Sequence, residues 1–359
     1  MAEFAITGIN VTSQNLLANE FGIIARGGVL ASGVTMQPAT GNATLIVQGS
    51  IATSGAAVLF NAGTADSVIT VAQGGSIAAR YGLLSFAGQD SITLSNAGSI
   101  DVTYAAVLSN FSTPVSIVNT GLMQTAVGGP IPLLSYQAAV INVQGSSLTL
   151  NNAGDIVGPQ YGIFTGPSTQ SSIVNTGLIS AQIAMDLGSA ADKVVNGGTI
   201  RGTVNLYGNA DLFDGRTGRQ IGLVSGGVGN DTLLGGNWDD SLSGGDGNDL
   251  VRGGAGDDVL LGAAGLDTFR GGLGDDTMTG STGADVFVFL RGQGTDRITD
   301  FVNGVDRIDL RAFDFASLAA VRGLASASSS GLRIDVPGEG MLFVQGLTLT
   351  TLTAGDVLL

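Results

Sequence analysis

Residues 226–288 read GGVGNDTLL, GGNWDDSLS, GGDGNDLVR, GGAGDDVLL, GAAGLDTFR, GGLGDDTMT and GSTGADVFV, seven nonapeptides without a gap. The sixth position is always aspartate: Asp231, Asp240, Asp249, Asp258, Asp267, Asp276 and Asp285. The eighth is always apolar: Leu233, Leu242, Val251, Leu260, Phe269, Met278 and Phe287. A glycine-rich disordered linker has no reason to hold a carboxylate and an apolar residue in fixed phase through every repeat. The stretch is therefore a folded repeat array.

Glycine pairs let the backbone enter positive φ and approach its neighbours closely, so each GGxGxD predicts a tight turn. The three residues after it predict a short strand with the eighth position pointing inward. Two nonapeptides then complete one coil of about eighteen residues, with turns on opposite edges. Asp231, Asp249, Asp267 and Asp285 stack on one edge; Asp240, Asp258 and Asp276 stack on the other. Stacked carboxylates repel unless a cation sits between them. The ligands on offer are these carboxylates and the backbone carbonyls of the turns. The turn glycines concerned are Gly226, Gly227, Gly229, Gly244, Gly245, Gly247, Gly253, Gly254, Gly256, Gly265, Gly271, Gly272 and Gly274. An all-oxygen donor set selects a hard cation, and Ca²⁺ accepts irregular oxygen cages more readily than Mg²⁺.

These nonapeptides resemble the GGxGxDxUx repeats of RTX proteins, whose fold is a calcium-filled parallel β-roll. The resemblance implies Ca²⁺ between successive coils, with three gaps on the first edge and two on the second, about five ions in all. Two repeats depart from the pattern, with Trp238 in place of the fourth-position glycine and Ala263 in place of the second. Repeat seven keeps only its first and fourth glycines. Ion sites touching these repeats are the weakest candidates. Downstream, RGQGTDRITDFVNGVDRIDLRAFDF resembles the segment that follows the β-roll in serralysin-type proteins. That resemblance implies calcium or capping contacts from Asp296, Asp300 and Asp306; a plain polar capping hairpin is the alternative.

Residues 1–215 carry a longer repeat. A polar-glycine turn followed by an aliphatic residue ends at Ile51, Ile77, Ile100, Met123, Ile156, Ile179 and Ile200. The usual interval is close to 23 residues, and one long interval holds a loop inserted at Gly128 to Gln137. Alternating stretches such as SITLS and SLTLN precede each phrase, and a second short strand such as YGLLSF or YGIFTG follows. This pattern predicts an all-β chain: an N-terminal parallel β-helix with about three strands per coil, continuing into the roll. The asparagines near the turn glycines are expected at positions that tolerate left-handed backbone. The segment loosely resembles autotransporter-like and haemagglutinin-like β-helix repeats. The expected domains are 1–215 (solenoid), 216–290 (roll, preceded by a degenerate repeat at Asp211 and Asp214) and 291–359 (cap and tail). The tail, with two strand-like runs around a GEG turn and an apolar end, resembles the uncleaved C-terminal signal of type I secretion.

Composition narrows the function. The chain of 359 residues has no cysteine and no histidine, so disulfide scaffolds, thiol chemistry and histidine-based zinc or nucleophile sites are excluded. A net charge of −15 disfavours nucleic acid and anionic membrane as partners and favours cations. The N-terminal sequence MAEFAITGINVTSQN lacks the basic and apolar regions of a signal peptide. No uncharged run has the composition of a membrane span. Only eleven charged residues occur in the first 200. That low charge fits either a hydrated Ser/Thr/Asn/Gly surface or faces covered by self-assembly. Carboxylates for a polysaccharide-acting lyase or epimerase exist at Asp66, Asp90, Asp101, Asp155, Asp186 and Asp192, but they do not cluster in sequence.

The resulting expectation is a secreted, non-enzymatic, calcium-dependent surface or matrix protein: a surface-layer, filament or adhesin subunit. It would form a homo-oligomer or polymer, with a cell-surface polysaccharide as a candidate partner. The alternatives are a polysaccharide-acting enzyme on the solenoid and a monomeric carbohydrate-binding adhesin.

Overall fold

A computed structural model of the chain describes all residues except 1, 11, 13, 17–19, 37–41, 61–65, 86–90, 110–112, 127–138 and 146. The expected insertion at Gly128–Gln137 and the carboxylate Asp90 lie outside the described residues. Two compact units are present, Met1–Val204 and Asn205–Leu359. Among the described residues no helix is long and apolar enough to cross a membrane.

The first unit is a solenoid with three parallel ladders, as the interval near 23 predicts. In the first ladder Leu45, Ile69, Leu94, Ile117, Leu150, Ile173 and Val194 stand in one column. In the second, the aliphatic residues that end the turn phrases stack as Leu30, Ile51, Ile77, Ile100, Met123, Ile156 and Ile179. The third carries Val58, Leu83, Val107, Ile141, Ile163 and Met185. All three columns are buried. Each rung adds little long-range order by itself; the core exists because identical positions stack.

The asparagines correct the sequence reading. Asn96, Asn119, Asn152, Asn175 and Asn196 do not adopt positive φ. They continue an inward column that begins with Val47 and Val71. Their amides form a buried chain, each Nδ2 donating to the next Oδ1 at 2.8, 2.7, 2.7 and 2.9 Å. A buried amide is stable only when its donors and acceptors are satisfied, and regular stacking satisfies them in series. The turn glycines are needed for a different reason: a Cβ on Gly121, Gly154 or Gly177 would sit 2.1 Å from the carbonyl oxygen of the glycine one coil earlier.

The second unit is a roll with two parallel ladders. One runs through Leu212–Asp214, Thr232–Leu234, Leu250–Ala255, Thr268–Leu273, Val286–Val288, Arg307–Asp309 and Val357–Leu358. The other runs through Leu223–Val228, Ser241–Asp246, Val259–Gly265, Thr277–Gly283, Gly294–Ile298 and Gly340–Gln345. The repeat strands pair at a register of eighteen residues, for example Leu250 with Thr268 and Ser241 with Val259. Several strands are longer than the three residues expected, running on through the glycine pair into the next turn. All seven eighth-position side chains are buried. Phe269 and Phe287 stack at 5.1 Å between ring centroids.

Beyond the repeats, Ala325–Ala327, Gly331–Val336 and Gly340–Gln345 form an antiparallel set, so the GEG turn joins two strands as read. The seven-residue helix Leu318–Leu324 was not anticipated. It packs one apolar side chain, Val321, inward.

Candidate metal centre

The aspartates stack as the phase predicts, through a specific bond. On the first edge the backbone N–H groups of Asp231, Asp249 and Asp267 each donate to Oδ1 of the aspartate eighteen residues later, at 2.8–2.9 Å. On the second edge Asp240 and Asp258 donate in the same way to Asp258 and Asp276. The columns extend past the repeats. Asp211 donates to Asp231 at 2.8 Å, so the degenerate repeat enters the first edge.

Asp276 donates to Asp296 at 3.2 Å and Asp285 to Asp306 at 3.0 Å. Asp306, rather than Asp300, therefore continues the first edge. Asp300 accepts from the backbone of Gly280 and Ser281 at 3.0 and 2.7 Å, and caps the last turn with both oxygens in use.

This bond occupies one oxygen of each carboxylate. The other, Oδ2 of Asp231, Asp249, Asp258, Asp267, Asp276 and Asp285, is buried without a hydrogen-bond partner. An unpaired buried carboxylate oxygen is costly and calls for a cation. Each of these atoms faces the first glycine of its own repeat: a Cβ on Gly244, Gly253, Gly262 or Gly271 would lie 2.0–2.2 Å from it. Glycine is thus required there to leave the oxygen room. The turns themselves need positive φ at the second and fourth positions, as at Gly245 (117°) and Gly247 (142°). Ala263 (90°) and Ser281 (72°) adopt the same conformation with a side chain, at a cost of about 1–3 kcal/mol each.

Repeat two is different. Neither Gly236 nor Trp238 adopts positive φ. The turn folds inward so that the Gly236 N–H donates to Asp240 Oδ2 at 2.7 Å. The oxygen that is unpaired in the six other repeats is satisfied here. Trp238 lies half exposed beneath the Arg219 guanidinium, 4.6 Å from the ring centroid.

Burial pushes the carboxyl groups up. Asp231 and Asp240 rise to about 6, and Asp258 and Asp267 to about 7, opposed by the backbone N–H bonds and reinforced by neighbouring carboxylates. Asp296 rises to about 8, by burial and then by Asp276 beside it. Asp249, Asp276, Asp285 and Asp306 are raised for the same leading reason.

A second ladder lies outside the first. Fifth-position side chains accept from the backbone one coil on: Asn230 from Asn248, Asn248 from Leu266, Asp239 from Asp257, Asp257 from Asp275 and Asp275 from Thr295, at 2.8–2.9 Å. The fifth positions alternate between Asn on one edge and Asp on the other through the first four repeats, a pattern that could have revealed this ladder in the sequence.

Among the described residues the solenoid carboxylates do not converge. Asp66 accepts from Ser91 Oγ at 2.6 Å, and Asp192, raised to about 6 by burial, accepts from the Ser171 N–H at 2.6 Å. Among the described ones, Asp101 lines the open groove that also contains Arg80 and Tyr104. Asp155 pairs in register with Leu122 and Leu178, and Asp186 is buried.

The family model for the RTX calcium-binding nonapeptide repeat (4 copies) matches residues 225–260, 253–287 and 261–298, the same residues that form the two aspartate columns. The chain belongs to the RTX calcium-binding repeat proteins. Among solved structures, it is similar to the AlgE6R3 subunit of the Azotobacter vinelandii mannuronan C5-epimerase, at 32% identity and TM-score 0.30 over 34% of this chain and 78% of that one. It is also similar to the extracellular lipase LipA from Serratia marcescens, at 16% identity and TM-score 0.25 over 54% of this chain and 45% of that one. No curated protein matches.

The residues present fit the calcium that RTX repeats imply. The donors are oxygen only, and the six buried Oδ2 atoms are unpaired. Among the described residues no three acidic side chains converge on one point, so the remaining ligands of any cage have to be turn carbonyls. Those carbonyls are stacked closely: a Cβ on Gly247 or Gly265 would lie 1.8 or 1.7 Å from the oxygen of the equivalent glycine one coil earlier. Such a cage suits Ca²⁺, which accepts six to eight oxygens in flexible geometry.

Proposed function

We propose that this chain is a secreted, non-enzymatic structural protein of a cell surface or matrix, whose roll folds on Ca²⁺ outside the cell. The observation that carries this is the set of six buried carboxylate oxygens without partners along two edges. In a calcium-poor cytosol those groups repel one another and are costly to bury. Each coil of the roll contributes only two eighth-position side chains to the core, too few to offset the entropy of ordering its backbone. The segment then stays extended and fits an export channel of the type I class. Outside, an ion that binds only the folded state stabilises it by mass action. Bound Ca²⁺ supplies charge compensation; the chain supplies the oxygens, the glycine clearance and the backbone bonds that orient each Oδ1.

Assembly into filaments or layers is part of the proposal. Along the first solenoid ladder the outward column Ile46, Thr70, Ser95, Val118, Asn151, Val174 and Val195 is uncharged, with Val118 and Val174 well exposed. Such an uncharged column suits lateral packing of copies. A polysaccharide-cleaving or epimerising site would need two or three carboxylates beside an arginine on one face; among its described lining residues the Arg80 groove offers Asp101 alone. Sedimentation and electron microscopy in millimolar calcium and in chelator test the assembly. Calcium-dependent polymers are expected, and monomers under both conditions would leave the adhesin reading in its place.

A further inference from the structure

Two strands of the solenoid slip out of register at one corner. Ser76–Ser85 pairs with Ser99–Ser109 as Ala79 with Val102 and then as Tyr81 with Ala105, so Arg80 faces both Thr103 and Tyr104. A bulge of this kind takes a side chain out of the strand alternation and re-aims it. Tyr104 folds inward: it is 7% exposed and stacks on Tyr81 at 5.4 Å between ring centroids. The Arg80 guanidinium lies over the Tyr104 ring, 4.9 Å from its centroid, and Nη2 donates to the phenol oxygen at 3.5 Å. The guanidinium is thereby held in place while Arg80 stays exposed.

This corner borders an open groove of about 500 Å³, within the range of small-molecule sites. The groove crosses four successive coils, from Thr53 past Ala78 and Asp101 to Ala126, about 14 Å at one strand spacing per coil. Its lining mixes the methyl groups of Ala78, Ala79 and Ala126 with the hydroxyls of Thr53 and Thr103. Asp101, also in the lining, is exposed. The first 200 residues hold only eleven charged side chains, yet two of opposite sign share this groove. Among the described residues neither Arg80 nor Asp101 is in an ion pair. A polyanion entering the groove would meet Asp101, and a polycation would meet Arg80, so both fit poorly. A neutral ligand rich in hydroxyls uses both groups: adjacent hydroxyls donate to a carboxylate and accept from the N–H fork of a guanidinium. The C–H face of a sugar ring can then rest on the alanine methyls.

We propose that the groove between Arg80 and Asp101 binds an uncharged polysaccharide through pairs of adjacent ring hydroxyls. This names a partner for the surface or matrix protein inferred above, and rests on that reading for the setting in which such a polymer is met. The groove is built entirely from residues of the first unit, so binding needs no calcium. The probes are neutral hexasaccharides of glucose, galactose, mannose and N-acetylglucosamine, each titrated calorimetrically into the full chain, with a uronate hexasaccharide as the charged comparison. The variants are R80Q, R80K and D101N, with D155N, an exposed carboxylate outside the groove, as control. Circular dichroism checks each fold, and D101N decides if R80Q unsettles the corner.

Saturable binding of at least one neutral probe is expected, in calcium and in chelator alike. R80Q and D101N should each weaken it at least about tenfold, and D155N should leave it unchanged. R80K, which keeps the charge over the ring and loses the fork, should weaken it too. No binding of any neutral probe, an unchanged affinity in D101N, or uronate bound as tightly as the neutral sugars would overturn the groove. Binding lost in chelator would place the site on the roll and overturn it as well. Polymers that form in calcium without binding sugar would leave the assembly standing and remove the groove; sugar binding by a chain that never polymerises would do the reverse.

Discussion

Asp258→Asn separates ligation from packing, with Asp240→Asn as its matched control. Both residues are buried, both are on the second edge, and both keep an Oδ1 after substitution. Asp258 accepts from the Asp240 N–H at 2.8 Å, and an asparagine can keep that bond. The difference is Oδ2, unpaired in Asp258 and satisfied by Gly236 at 2.7 Å in Asp240. The gap between Asp258 and Asp276 has unpaired oxygen on both sides, whereas the gap between Asp240 and Asp258 has it on one. Asp258→Asn should therefore disable one full site. At calcium ten- to a hundredfold above its dissociation constant, that site contributes about 1.4–2.7 kcal/mol. For a unit of this size the loss corresponds to a Tm lower by about 3–10 °C. In chelator the wild-type roll is already unfolded at neutral pH, so the substitution has no roll transition left to lower. Differential scanning calorimetry in calcium and in chelator reads both. Equal losses in the two buffers, or an equal loss for Asp240→Asn in calcium, would refute the assignment of Oδ2 as a ligand.

The raised carboxyl groups set a pH dependence. Asp231 and Asp240 at about 6, with Asp258 and Asp267 at about 7, start from an ordinary value of 3.8. Groups raised in this way stabilise the fold below the unfolded value and lose that contribution as pH climbs through 6 to 7. The calcium-free roll should thus be most ordered in mild acid and loosen towards pH 8, and circular dichroism showing the reverse would contradict it. Trp238→Gly should let repeat two adopt the turn of its neighbours and free Asp240 Oδ2. The expected calorimetric result is one more bound ion; an unchanged stoichiometry would show that the Gly236 bond is not caused by Trp238. In the solenoid, Asn152→Ala strands the Asn119 donor and the Asn175 acceptor, costing about 2–5 kcal/mol equally with and without calcium. Asn96→Val, at the end of the amide chain next to Val71, should cost less by denaturant titration, and equal costs would argue against a cooperative ladder.

The sequence revealed the roll clearly because one requirement fixes two residue types. A carboxylate with a buried oxygen needs glycine opposite it, and an apolar eighth position needs the core, so Gly, Asp and Leu or Val recur in phase. The solenoid was legible through its aliphatic columns, whose period survives degenerate turns. The inward asparagines were misread because Asn-Thr-Gly and Asn-Ala-Gly are also turn signals; only coil-to-coil stacking shows that the amides satisfy one another. Asp306 was harder to place than Asp296 because the spacing grows from eighteen to about twenty past repeat seven, where no glycine phase marks the column. The closure of Asp240 onto Gly236 follows from Trp238, which the sequence flagged as irregular without indicating how the turn would respond.

Hydrogen–deuterium exchange of the intact chain, read by peptide in calcium and in chelator, tests calcium-linked folding most directly. Backbone amides of residues 226–309 should be protected in calcium and exchange freely in chelator, while those of the asparagine ladder at 147–196 keep their protection in both. Equal protection of residues 226–309 in the two buffers would contradict it.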